Sequence, residues 1–192
     1  MACQDDQLCA LLKVGIDGAI HGAQTLWGEN LTSEDWGFFL VDAKNTFNEI
    51  NRVGMLWTIR HLWPSGARFV FNCYRLWSLL VLRNRNGTAS FMHIIEGVTQ
   101  EDPLSMITYG IGILPFINSL KWEIPDFTQP WYADNAGALD TFARLKTYFY
   151  LLTRQGPGQG FHPEPSKIVL IVRPENLEAG NCLENFTNLR CS

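Results

Sequence analysis

The sequence predicts an α+β protein whose small, largely antiparallel sheet packs on helices. Three observations carry that prediction. Short β-branched and aromatic runs are interspersed with stretches of helical periodicity, without the regular strand–helix alternation of a parallel sheet. Two pairs of apolar runs are joined by tight-turn sequences, Asn84-Arg85-Asn86-Gly87 and Asp134-Asn135, as hairpins require. The chain of 192 residues, 46% apolar and 18% charged, suits one globular domain that buries roughly 70% of its unfolded surface.

In chain order, Leu8, Leu11, Leu12, Ile16 and Ile20 recur at helical spacing and predict a helix over about 6–27, followed by a polar loop over 28–35. Gly37-Phe38-Phe39-Leu40-Val41 predicts a buried strand ending at Asp42. A helix with Phe47, Ile50, Val53 and Trp57 on one face stops before Trp63-Pro64-Ser65-Gly66, and a second runs over about 66–77. Strands follow over 78–83 and 89–94. Asp102-Pro103 predicts a helix start, with Asp as cap and Pro in the first turn. Helix is predicted again over about 140–154, then a flexible connector over 156–165, a strand over 167–172 and a short final helix.

Several functional classes are disfavoured. The longest apolar run, from Ile107 to Leu120, is broken by glycines and a proline and is too short to span a bilayer. The start of the chain, with Asp5 and Asp6, lacks the basic end of a secretion signal. Five cysteines (Cys3, Cys9, Cys73, Cys182, Cys191) in irregular spacing predict free thiols in a reducing, intracellular compartment. The sequons at Asn30, Asn86 and Asn185 then read as chance matches. His21, His61, His93 and His162 show no metal-type spacing. Gly156, Gly158 and Gly160 lack the ending of a phosphate-cradling loop.

Net charge is −4, yet no Asp or Glu occurs from Ile50 to Ile95. That stretch holds Arg52, Arg60, Arg68, Arg75, Arg83 and Arg85, interleaved with Trp57, Trp63, Phe69, Phe71, Tyr74 and Trp77. Such a mixture suits a surface that follows a phosphate backbone and packs on bases. It equally suits a solvated helix face over an aromatic core, and composition alone does not separate the two.

Asp42 at a strand end and Asp134 at a hairpin tip could meet at one sheet edge. Hard cations such as Mg²⁺ take carboxylate and phosphate oxygens, and paired ions serve phosphoryl transfer. A helix cap and a turn residue fit the same two positions.

The order of local motifs adds a resemblance. Phe39-Leu40-Val41-Asp42-Ala43-Lys44-Asn45-Thr46-Phe47, then Gly97-Val98-Thr99-Gln100-Glu101-Asp102-Pro103-Leu104, then Tyr132-Ala133-Asp134-Asn135, resemble three successive palm motifs of reverse transcriptases. Pro165-Ser166-Lys167 before an apolar strand resembles their lysine-bearing motif. Asp6-Gln7-Leu8-Cys9 and Arg60-His61-Leu62-Trp63-Pro64-Ser65-Gly66 are similar to retroelement polymerases of the non-LTR kind.

The resemblance implies a polymerase palm with a ferredoxin-like core, acting as an RNA-directed DNA polymerase on an RNA template, a DNA primer and deoxynucleoside triphosphates. Asp42 and Asp134 would hold Mg²⁺ or Mn²⁺, with the Ala43 carbonyl as a further ligand. Phe47 would pack against the sugar and exclude a 2′-hydroxyl. Gln100 would contact nucleotide or template, Tyr132 would support the hairpin beside the primer end, and Lys167 would sit near the leaving pyrophosphate. Two positions depart from the family. Asn135 replaces the second of two adjacent aspartates, and Glu101 stands where the family has glycine. A unit-charge pair at 4 Å is worth roughly 4 kcal/mol at an effective dielectric of about 20, so the lost carboxylate predicts impaired catalysis. The chain is expected to form a single partial domain, the palm and the end of the fingers, without thumb, endonuclease or RNase H. It reads as a decayed retroelement copy.

Overall fold

A computed structural model describes residues 15–99, 102–176 and the backbone of 189–191. Its centre is a five-stranded sheet in the order β4-β5-β1-β6-β7, formed by β1 (Trp36–Asp42), β4 (Trp131–Tyr132), β5 (Asn135–Thr141), β6 (Val169–Val172) and β7 (Leu189–Cys191). The central strand β1 pairs antiparallel with β5, from Trp36 opposite Thr141 to Asp42 opposite Asn135. On its other side it pairs antiparallel with β6, Phe38 opposite Ile171 and Leu40 opposite Val169. The sheet is antiparallel as expected except for β7, an unforeseen strand that runs parallel to β6.

Strand alternation sorts the two faces. Phe39, Val41, Leu170 and Val172 are fully buried and join one core with α5 (Ser105–Glu123) and α6 (Phe142–Gln155). The Phe39 ring meets Phe149 of α6 edge-on at 5.6 Å. Burying such side chains stabilises the fold by about 2 kcal/mol each. Helix α5 is apolar nearly all round, which fits its position through the middle of the core. The other sheet face carries Trp36, Phe38, Leu40 and Asp42. Helix α1 (Gly15–Glu29) lies against it, with Trp27 packed on Trp36 at 5.9 Å.

The helix expected around Phe47 to Trp57 is two helices, α2 (Thr46–Glu49) and α3 (Arg52–Leu62). Ile50 has ψ 133°, which ends α2, and the Asn51 side chain accepts the Gly54 N–H to start α3. The break rotates the second face. Met55 and Ile59 point into the core, while Val53 and Trp57, expected on the inner face, are exposed. Helix α4 begins at Pro64 rather than Gly66 and runs to Tyr74, with the proline in the first turn. Helix α5 starts at Ser105. Asp102 accepts the Leu104 N–H before it, so it orders the entry turn without being the cap. Asp140 belongs to β5, and α6 starts at Phe142.

The loop over 156–165, expected to be flexible, is packed. It contains a 3-10 turn, Gly156–Gln159, closed by Gly160 at φ 78°. A Cβ on Gly160 would lie 1.8 Å from the Glu49 carbonyl, so only glycine allows this approach. Strands β2 (Ser78–Arg83) and β3 (Ala89–Ile94) form a separate two-stranded ribbon around the predicted Asn-Gly turn.

Candidate active site at the end of the central strand

Asp42 is the last residue of β1 and sits directly opposite Asn135. Ala133 and Asp134 form the turn between β4 and β5, with Ala133 in the left-handed region at φ 51°. A non-glycine residue there costs about 1 kcal/mol, and its neighbours hold it in place. Trp131 is completely buried, its indole N–H donating to Gln129 and its ring against Phe116 and Phe161. Thus the hairpin tip is Ala133-Asp134, one residue earlier than expected, and Asn135 opens the strand. The two aspartates meet at one sheet corner.

The polar contacts there are specific. The Asp134 carboxylate receives the Asn135 amide N–H₂ at 3.3 Å and faces the Thr46 hydroxyl at 3.5 Å. Thr46 also donates to the Ala43 carbonyl at 3.3 Å. Burial, and then the charge of Asp42, push the Asp134 carboxyl above its ordinary range. Its own backbone N–H, Lys167 and Thr46 oppose that shift. The Lys167 ammonium lies 3.0 Å from Asp42 Oδ2, and this hydrogen bond and charge raise its pKa. Lys167 stands in a 3-10 turn, Pro165–Lys167, rather than in the predicted strand. That turn is held because the Glu164 N–H donates to the Asp42 carbonyl and the Glu164 carboxylate faces Ser166. Asp42, Tyr132, Asn135 and Lys167 line one side of a cavity of about 460 Å³, with Ala19 and Ile20 of α1 on the other.

The remaining predicted residues divide. Ala43 is buried beside Asp42, bridged to Pro163. Phe47 is half-buried, its ring 4.7 Å from Tyr109, so its packing role is real. Gln100 and Glu101 lie outside the described residues. Just before them, Gly97 and Val98 donate backbone N–H groups to the Ile50 and Phe47 carbonyls. Thr46 was not anticipated from sequence. Its position four residues after Asp42, at the start of a helix, was the available signal.

The arginines do not form one surface. Arg52 is buried, and its guanidinium donates to the carbonyls of Leu76, Ile94, Glu96 and Gly97. This corrects its assignment to a nucleic-acid surface: the side chain is consumed in fastening the ribbon to α3. Arg60, Arg68 and Arg75 line one groove between α3 and α4. Arg83 and Arg85 lie exposed at the far end of the ribbon.

Two carboxylates and a neighbouring carbonyl are a donor set that fits one hard cation, which takes its other ligands from water or phosphate. Lys167 presents a positive charge to Asp42 at 3.0 Å. No cluster of three metal-ligating side chains occurs among the described residues. No helix among the described residues is long and apolar enough to cross a membrane.

No protein-family model and no curated protein matches the chain. Solved structures do. Apo telomerase from Candida tropicalis, truncated from its C-terminal domain, aligns with a TM-score of 0.64 at 15% identity, over 86% of this chain and 36% of that one. Telomerase from Candida albicans, in complex with a fragment of telomeric RNA, aligns with 0.64 at 9% identity, over 88% and 32%. The chain shares the fold of the matched part of these telomerase structures. The chain spans about a third of the telomerase chains it resembles.

Proposed function

We propose that this chain is the palm of an RNA-directed DNA polymerase, built for nucleotidyl transfer with Mg²⁺ or Mn²⁺ and weakened in this copy by Asn135 and Glu101. The observation that carries the reading is the meeting of Asp42, Asp134 and Lys167 at one corner of a reverse transcriptase-like sheet. Asp42 and Asp134 hold the metal, which when bound polarises phosphate oxygens and the attacking hydroxyl. Lys167 moves from Asp42 to the triphosphate and neutralises charge on the leaving group. Tyr132, exposed in the same cavity, faces the primer end, and Phe47 backs the sugar. RNA template, DNA primer and deoxynucleoside triphosphates are the ligands, and an intracellular retroelement of the non-LTR kind is the source.

A second reading is a catalytically dead remnant that at most binds nucleic acid, and one observation favours it. The Asn135 amide donates to Asp134, satisfying the carboxylate where a second aspartate would repel it and recruit a cation.

Primer extension on poly(rA)/oligo(dT) with Mg²⁺ or Mn²⁺ decides between the readings. The native chain and an Asn135→Asp, Glu101→Gly double variant are each fused to the fingers and thumb of a related enzyme. Extension by the native fusion, abolished by Asp42→Ala, establishes an active palm. Extension by the repaired fusion alone establishes a silenced one. Extension by neither, with both fusions folded, removes the polymerase reading.

A further inference from the structure

Helices α3 and α4 bury one face each and leave a second apolar stripe on the outside. On α3 the stripe is Val53, Leu56, Trp57 and Arg60, spaced i, i+3, i+4, i+7. On α4 it is Pro64, Ala67, Arg68 and Phe71, with the same spacing, and Arg75 follows one turn later. The two stripes face each other across a groove of about 650 Å³. Val53 is 77% accessible, Trp57 63% and Phe71 50%, while Leu56 and Ala67 form a half-buried floor that also touches the core. Val53, Trp57 and Phe71 are exposed in helical register and lie outside the core, which Met55, Ile59 and Val70 serve from the opposite faces. Contiguous exposed apolar surface with a polar rim marks a binding surface.

The shape and the charge identify the occupant. Two helices whose outward stripes line one groove leave a trough that a third helix can fill by ridges-into-grooves packing. The rim is positive. Arg60, Arg68 and Arg75 border the trough, and no acidic residue occurs between Ile50 and Ile95. Arg60 and Arg68 make no ion pair among the described residues, and the Arg75 guanidinium rests on the Phe71 ring at 5.9 Å. A single-stranded nucleic acid would use the arginines and Trp57. It would leave the aliphatic floor of Val53, Leu56 and Ala67 without the ridge that helical spacing is made to receive.

We propose that the α3–α4 groove docks an amphipathic α-helix from another polypeptide, with an aliphatic stripe in the trough and acidic residues against Arg60, Arg68 and Arg75. Each groove helix has 11 residues, so the docked segment is about three turns long. The site is separate from the Asp42 corner, and its occupancy does not depend on polymerase chemistry.

The test uses the full chain and a labelled helical peptide of about three to four turns. Leucines stand at i, i+3, i+4 and i+7 with glutamates beside them, and binding is followed by fluorescence anisotropy. Saturable binding is expected, weakened about tenfold or more by Trp57→Glu or Phe71→Glu, as for exposed aromatic anchors. It should weaken about threefold when the glutamates become glutamines or Arg68 becomes Ala, as rim charges predict. Trp57 and Phe71 lie outside the core, and unchanged thermal unfolding of the variants confirms their folding. Methyl shifts on the native chain provide a readout independent of substitution, and they should move at Val53 and Leu56. Equal binding of a scrambled peptide, methyl shifts elsewhere, or displacement of the peptide by oligouridylate in a manner lost with Arg68→Ala would overturn the proposal. The last result would make the groove a nucleic-acid path.

Discussion

The sheet corner and the β2–β3 ribbon are both antiparallel pairings closed by tight turns, yet they are held by opposite means. At the corner, β5 pairs with β1 over seven residues, and one face is sealed by α5 and α6 with Phe39, Val41 and Ala136 fully buried. The ribbon pairs over six residues, and among the described residues nothing seals either face, so that Leu79, Val81, Phe91 and Met92 are all exposed. A lone two-stranded hairpin is marginal in water. What fastens this one is the buried Arg52 side chain, bonded to carbonyls of the neighbouring segments. With it act the Glu96 carboxylate, which accepts the Arg52 backbone N–H at the start of α3, and the backbone bonds of Gly97 and Val98 to the Ile50 and Phe47 carbonyls. The corner is positioned by area and can therefore carry charge at its edge. The ribbon is positioned by one polar node and is vulnerable there.

The largest effect expected from this comparison is at that node. Arg52→Met would leave four carbonyls without their donor and remove the charge beside Glu96, whose carboxylate keeps the backbone N–H of residue 52. A loss of about 4 kcal/mol is expected, in the range for breaking a buried charged network. Arg60→Ala, in the exposed groove of the same helix, should change stability by less than about 0.5 kcal/mol. Denaturant midpoints measure both. Hydrogen exchange should show ribbon amides opening first in Arg52→Met, and uniform opening would break the idea that Arg52 fastens the ribbon in particular.

This node also marks how far the sequence could be read. The antiparallel sheet, the ribbon turn, and Asp42 and Asp134 at one edge followed from local periodicity, turn chemistry and motif order. Arg52 did not. Its membership in a run of arginines says nothing about burial, which is decided by the break at Ile50 that rotates α3. The same rotation exposed Val53 and Trp57, which a single continuous helix would have buried. Strand β7 was missed because its three residues, Leu189–Cys191, are too few to show an alternation. The packed loop at Gly160 was missed because that glycine serves a close contact with Glu49 of α2 rather than freedom.

Glycine offers a second, smaller contrast between the regions. Gly160→Ala meets both an unfavourable φ of 78° and the Glu49 carbonyl 1.8 Å from its new Cβ, so about 3 kcal/mol should be lost. Gly87→Ala at the ribbon turn has a similar φ of 83° but open space around it. Only the conformational part applies there, about 1 kcal/mol. Equal losses in thermal unfolding would mean that the loop over 156–160 yields as easily as the ribbon tip.

At the corner, Asn135→Asp replaces an amide that donates to Asp134 with a carboxylate that repels it. Stability without metal should fall by about 1 kcal/mol, as expected for exposed like charges. If the corner holds cations, Mn²⁺ at 100 times its dissociation constant should return about 2.7 kcal/mol. At one fixed Mn²⁺ concentration the gain should be larger for the variant, which binds more tightly, than for the native chain, and absent in Asp42→Ala. Thermal shift with and without Mn²⁺ measures it, and identical shifts in all three proteins would remove the metal site.

The smallest effect is a change in pH dependence at Asp134. Burial and Asp42 raise this carboxyl above its ordinary value of 3.8, so the folded chain binds the proton more tightly than the unfolded one. The sign follows. The stability owed to the neutral carboxyl is fully present below the ordinary value and is lost as pH rises through the raised folded value. Asp134→Asn is neutral at every pH, keeps an oxygen for Thr46 and escapes that loss. It should match the native chain in acid and be the more stable protein at neutral pH, the gap opening as pH climbs out of the carboxylate range. Mn²⁺ binding to the native chain should strengthen over that same interval, because the cation and the proton compete for Asp134. A cation is then what makes the charged state of this corner favourable. Coincidence of the two profiles would tie the instability of the corner directly to its capacity to bind metal, and a gap of the opposite sign would show that Lys167 and Thr46 outweigh burial there.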